Sequence, residues 1–140
     1  MTRKYSRYMG LVAAIVVAYT PLLTMAQSDN SSIDEDLISG ERVINTTKLT
    51  PQVFGYGGVT PIKLYIVDGK VDRVEMLPNF ESPEYLSMVI GEGLLKSWDG
   101  VAISEVAEHE VDGISGATYS STAIIKNVEA AAKYALDNKR

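Results

Sequence analysis

The spacing of apolar residues changes along the chain, and each change marks an element. Ile62, Leu64 and Ile66 alternate with Lys63, Tyr65 and Val67, the two-residue period of a half-buried strand. Asp68-Gly69 predicts a tight hairpin, and the chain returns through Val71, Val74 and Met76. Glu41 to Thr47 reads as a shorter first strand, and Val101 to Ala107 as another. Between the first strand and the hairpin, Val53 to Gly58 mixes aromatics with glycines, so the backbone there bulges or passes close to something. Ser82-Pro83-Glu84 opens a helix: serine suits the N-cap, proline the first turn, and a carboxylate the positive end of the dipole. Leu86, Val89, Ile90 and Leu94 carry it forward, Gly91 and Gly93 weaken it, and Trp98-Asp99-Gly100 ends it in a turn. In a last helix, Ile124, Ile125, Val128, Ala131, Ala132, Ala135 and Leu136 form an apolar face, with Lys126, Asn127, Glu129, Lys133 and Asp137 assigned opposite. Hairpin strands with helices set apart imply an α+β fold, an antiparallel sheet with two main helices packed on it as a single small domain.

The N-terminus follows a different grammar. Thr2 to Tyr8 is polar and basic, Met9 to Leu23 is almost wholly apolar, and Thr24-Met25-Ala26 supplies small residues before Gln27. The apolar run is shorter than the roughly 20 residues that span a bilayer as a helix. This is the pattern of a signal peptide over residues 1–26, cleaved before Gln27; an uncleaved N-terminal anchor is the alternative. Residues 27–40 are rich in Ser, Asp and Asn and read as a linker, leaving 41–140 as the folded domain.

Composition narrows the chemistry. The chain has 140 residues, no cysteine and one histidine, His109, which removes disulfides, thiolate metal sites and thiol catalysis and leaves a Ser–His–Asp triad little to draw on. Without residues 1–26 the chain has ten basic and eighteen acidic residues, a formal charge of −8. A body that acidic repels nucleic acid, which is excluded as a partner.

The segment with chemical content precedes the last helix: Asp112-Gly113-Ile114-Ser115-Gly116-Ala117-Thr118-Tyr119-Ser120-Ser121-Thr122. Five of the eight residues from Ser115 to Thr122 are Ser or Thr, the glycines leave the backbone open, and a helix N-terminus follows, where free N–H groups favour an anion. The segment therefore suits a phosphate. The competing reading is that these hydroxyls only cap the helix. No lysine follows the glycine as in a Walker loop, and there is no G-x-S-x-G elbow.

Asp112 to Thr118 resembles the flavinylation motif of the FMN-binding domain family, which includes the flavin-carrying subunits of the sodium-pumping NADH:quinone oxidoreductase and of Rnf electron-transport complexes. The resemblance extends over roughly residues 46–137. It includes Gly55-Tyr56-Gly57-Gly58, Asp68-Gly69-Lys70, and Asn79 to Tyr85, which is similar to the family's Glu-Thr-Pro-Gly segment near the flavin, with Ser82 for Thr and Glu84 for Gly. The resemblance implies FMN joined by a phosphoester to Thr118, attached by an ApbE-type flavin transferase that uses FAD as donor and magnesium as helper. Carried over residue by residue, the cofactor-binding set is Asp112, Gly113, Ser115, Gly116, Ala117, Thr118, Tyr119, Ser120 and Ser121, with Glu81, Pro83 and Tyr56. Neither a catalytic residue nor a resident metal is implied. A phosphoester on threonine needs neither cysteine nor histidine, and outside the cytoplasm it would retain a cofactor that could not be replaced.

These readings lead to an exported, periplasmic or cell-envelope electron carrier, more a module than a stand-alone enzyme, serving membrane or extracytoplasmic redox partners. The alternatives are non-covalent FMN binding, a cofactor-free exported binding domain, and a flavin reductase or dehydrogenase subunit. His109 reads as an ordinary strand-end residue, the alternative being a flavin contact or attachment site; Trp98 reads as a core anchor rather than a flavin platform, and Tyr119 as either a shield for the flavin or an ordinary exposed tyrosine.

Overall fold

The alternating segment Ile62–Val67 lies inside the sheet and Lys70–Met76 returns beside it at the end of the strand order. The computed structural model describes residues 32–37 and 39–139. The chain divides into two units, Met1–Ser32 and Ile33–Arg140, and every described element lies in the second. The proposed signal peptide and cleavage point lie outside the described residues.

Four strands, β1 (Asp34–Asp36), β2 (Arg42–Asn45), β3 (Ile62–Val67) and β4 (Lys70–Met76), pair antiparallel in the order β1-β2-β3-β4. The expected hairpin joins β3 to β4: Val67 faces Lys70, and Asp68 and Gly69 both take positive φ, 50° and 73°. That is the backbone a two-residue turn of the right twist requires. Helix α1 (Pro83–Gly91) begins where Ser82-Pro83 predicted, although the Ser82 side chain makes no capping bond. It stops at the first glycine, and a 3-10 turn at Leu94–Lys96 leads to Trp98. Helix α2 (Thr118–Asp137) packs across β2 and β3 and meets α1. Ile44, Ile62, Leu64, Val89, Leu94, Val106, Ile124 and Val128 fill the space between, with Trp98 only 1% exposed among them. The fold is the α+β arrangement expected.

Three expectations are corrected. Residues 27–40 are not wholly a linker, because Asp34–Asp36 is a strand paired with β2. A short-range charge pattern explains it: Arg42 donates to both Asp34 carboxylate oxygens at 2.9 and 2.6 Å, and also to the carbonyls of Ala135 and Asn138. These hydrogen bonds with Asp34 hold the Arg42 pKa above its ordinary value and tie the sheet edge to the end of α2.

Val101–Ala107 is not a strand. Val101 and Gly100 exchange backbone bonds with Val71, Ala102 forms one bridge to Lys70, and then Glu105 N–H turns back to Ala102 O. Val106, three residues after Ile103, needs that turn to reach the core.

Asn127 does not face solvent. It is fully buried, its amide donates to the carbonyls of Thr60 and Ala123 at 3.0 Å, and its oxygen accepts from Thr50 Oγ1. It thus fastens α2 to the irregular segment between β2 and β3. Asn127→Ala leaves the Thr60 carbonyl short of a partner in the interior, while the Thr50 hydroxyl keeps only its bond to the Thr46 carbonyl. The expected loss is about 2 kcal/mol or more, read as a lower urea midpoint.

Candidate functional site

The site is built at the first turn of α2. Gly116 takes a left-handed φ of 86°, where a Cβ would lie 2.9 Å from Met88 Cε, and this turn delivers Ala117 as the N-cap and Thr118 as the first helical residue. No side chain caps this end. The hydroxyls of the loop therefore do not perform the capping role weighed above. Ser121 instead accepts the Ile114 N–H at 3.1 Å and donates to Thr118 O, closing the loop from behind. Its own N–H bonds Ala117 O, while the N–H groups of Thr118, Tyr119 and Ser120 donate to nothing among the described residues. The Thr118 side chain is exposed, and its hydroxyl forms no hydrogen bond among the described residues. Three free amides at the positive end of a 20-residue helix form an anion site, and a free hydroxyl stands on it.

Two cavities border Thr118 and Tyr119. One, of about 260 Å³, is lined by Tyr56, Tyr85, Gly116, Ala117 and Ser120 as well. Tyr56 and Tyr85 meet edge to face there, with centroids 4.7 Å apart. The other, of about 560 Å³, adds Gln52, Val53, Phe54, Thr122, Ala123 and Lys126. Phe54, Tyr56, Phe80 and Tyr119 are all exposed, Tyr119 at 73%. Three of them, Phe54, Tyr56 and Tyr119, line the cavities, and such aromatic walls suit a ligand with a flat apolar face.

Glu81 underlies this surface. It is 6% exposed; its Oε1 accepts from Ser120 Oγ at 2.7 Å and from Gly57 N–H at 3.1 Å, and its Oε2 is buried without a hydrogen-bond partner. One carboxylate therefore joins the helix start to the Tyr56 loop. The glycines of Val53–Gly58 are accounted for here: a Cβ on Gly55 would strike the Glu81 carboxylate, and one on Gly57 the Phe80 carbonyl. Gly57→Ala should force the loop off Glu81, destabilise the domain by about 1–3 kcal/mol and move Tyr56 out of its cavity. Thermal melting together with loss of Tyr56–Tyr85 NMR contacts checks this.

The structure brings together at the cavities Thr118, Ala117, Gly116, Tyr119, Ser120 and Tyr56, with Glu81 beneath them. Asp112, Gly113 and Ser115 are exposed in the preceding loop and line neither cavity; Ser121 is buried behind it. Pro83 starts α1 without lining either cavity. His109 also stands apart, its Nε2 2.8 Å from Ser97 O. The site set read from the sequence lacked Gln52, Val53, Phe54, Tyr85, Ala123 and Lys126, and also Thr122, the last residue of the hydroxyl-rich segment. For two of these a signal existed: Thr122 and Lys126 follow Thr118 at four-residue steps on one helix face.

Free amides, an exposed hydroxyl and aromatic walls define a small α+β module for a cofactor that is anionic at one end and aromatic at the other. The chain belongs to the FMN-binding domain family, whose model matches residues 55–133, more than half of its length. Comparisons with curated proteins and with solved structures yield no match. The residues present fit FMN: the amides of Thr118–Ser120 suit its phosphate, and the aromatic-lined cavities suit its ring system.

Proposed function

We propose that this domain is an exported electron carrier that holds FMN covalently on Thr118. One observation carries the reading: the Thr118 hydroxyl is exposed and free of hydrogen bonds at a helix start whose first three amides are also free. A hydroxyl in that position is accessible to an incoming transferase, and its phosphoester would lie against the amides. The dipole would stabilise the remaining phosphate charge by about 0.3–1 kcal/mol.

Attachment follows the family's chemistry. An ApbE-type transferase with magnesium moves the FMN group of FAD to Thr118. The bond from Thr118 Oγ1 to phosphorus forms, the pyrophosphate bond breaks, AMP leaves, and the hydroxyl proton passes to the transferase. FMN supplies electron transfer when bound. The chain's own residues do the rest. Thr118 anchors, the amides of Thr118–Ser120 hold the phosphate, Glu81 keeps the Tyr56 loop on the helix, and the aromatics shield the ring from water. Membrane or extracytoplasmic redox partners would deliver and take the electrons.

The test is the mature chain coexpressed with such a transferase and then unfolded. The expected protein is yellow and heavier by one FMN less one water. Flavin that leaves on unfolding would replace the reading with non-covalent binding. A colourless protein would favour a cofactor-free binding domain.

A further inference from the structure

Among the residues lining the two cavities, Lys126 alone carries a charge. Thr118, Thr122 and Lys126 follow each other at four-residue steps along α2, so Lys126 lies two turns beyond the acceptor, about 12 Å along the helix axis. Its ammonium forms no ion pair or hydrogen bond among the described residues, whereas Lys133 on the same helix is paired with Asp137 at 2.6 Å. Val53, Phe54, Tyr119 and Ala123 give this cavity apolar or aromatic walls. Gln52, Thr122 and Lys126 supply the polar groups. An isoalloxazine has the same division, with a dimethylbenzene end and a pyrimidine end rich in carbonyls and nitrogens.

We infer that the ring system of the Thr118-linked flavin occupies the Phe54–Lys126 cavity, and that Lys126 raises its reduction potential. This rests on the attachment proposed above. Two electrons and one proton convert the oxidised ring to a reduced ring with one negative charge, centred on its pyrimidine side. A lone ammonium in a cavity walled by Phe54 and Val53 favours that form over the neutral oxidised one. The surrounding protein is acidic, so without Lys126 the local field would oppose reduction. The smaller Tyr56–Tyr85 cavity has no charged wall and would have no such effect.

The experiment uses the mature chain coexpressed with the transferase and titrated spectroelectrochemically, the electrode supplying the electrons. Each sample is first weighed after denaturation, so failure of attachment is read in the mass and failure of the Lys126 role in the potential. Lys126→Gln should lower the reduced-to-oxidised ratio at a fixed potential about tenfold, which is about 30 mV for two electrons. Lys126→Glu should lower it further, and Lys126→Arg should leave it near wild type. Lys133→Gln should have no effect. Lys126 is exposed, so these variants retain the fold. Fully loaded Lys126→Gln and Lys126→Glu proteins with wild-type potentials would overturn the inference alone. A wild-type chain carrying no flavin would overturn both proposals.

Discussion

Made alongside an ApbE-type transferase, the Thr118→Ala chain will keep its fold and carry no flavin after unfolding. The fold survives because the substitution removes an exposed hydroxyl without a hydrogen-bond partner, at the first position of a helix that alanine suits. Melting should shift by no more than the equivalent of about 0.5 kcal/mol. Thr118→Ser keeps the nucleophilic oxygen and should keep part of the adduct. Ser115→Ala should retain it, since Ser115 lies outside both cavities. Ser121→Ala should retain it at lower yield, because Ile114 N–H loses its acceptor and the loop ahead of Thr118 loosens. Ser120→Ala removes the hydroxyl that bonds Glu81, so it should weaken the join between helix and Tyr56 loop without removing the acceptor. A full adduct on Thr118→Ala protein would send the assignment to Ser115, Ser120 or Ser121.

Val128→Asp will unfold or nearly unfold the domain, while Lys126→Ala, two positions away, will be almost silent. Val128 has no exposed surface and packs in the core formed with Ile44, Leu64 and Ile124. A carboxylate there meets only apolar neighbours and must be buried unpaired or forced to stay protonated, a cost of several kcal/mol. A domain of this size has about 5–15 kcal/mol in total, so the change removes much of its stability. Lys126 is exposed and bonds nothing among the described residues, so its loss should cost less than about 0.5 kcal/mol. Urea denaturation of the two variants should give midpoints far apart; equal midpoints would mean that the buried face of α2 is misassigned.

The sequence was most legible where local rules and burial agreed. The β3–β4 hairpin required Asp68-Gly69, and the alternation of β3 set its buried face, whereas the register shift at Tyr65/Ile66, which fits Val71 and Val74 three residues apart, was not legible. Helix α1 started at Ser82-Pro83 as expected, without a Ser82 cap, but stopped at Gly91 instead of continuing through Leu94 to the Trp98-Asp99-Gly100 turn, because the glycines broke it outright. Legibility failed where a polar residue served the interior. Asn127 lies three residues after Ile124 and four before Ala131, so its position belongs to the buried stripe. Sorting by residue type placed it outside, because the partners that satisfy its amide, Thr50 and Thr60, come from a segment with no periodicity. Strand β1 was hidden for a similar reason: Asp-Glu-Asp has no strand pattern, and it pairs because Arg42 across the sheet edge receives Asp34.

The candidate site was legible in the loop and helix start that hold the proposed acceptor, and not in its walls. Asp112–Thr118 is one continuous stretch, which spacing and resemblance can read. Phe54, Glu81 and Lys126 come from three separated segments and meet only through the fold. Glu81 in particular was named from resemblance alone, and its work is mechanical: it grips Ser120 and Gly57 from beneath. The glycines of the Tyr56 loop, ambiguous as letters, are explained once the backbone is seen crossing Phe80 and Glu81.

The most direct measurement of the central claim is the intact mass of the protein purified from its native cells and denatured, followed by mapping of the modified peptide. The account predicts a chain that begins at Gln27, heavier by one FMN less one water, with the added mass on the peptide containing Thr118. A chain of unmodified mass, or a flavin carried on any residue other than Thr118, would contradict it.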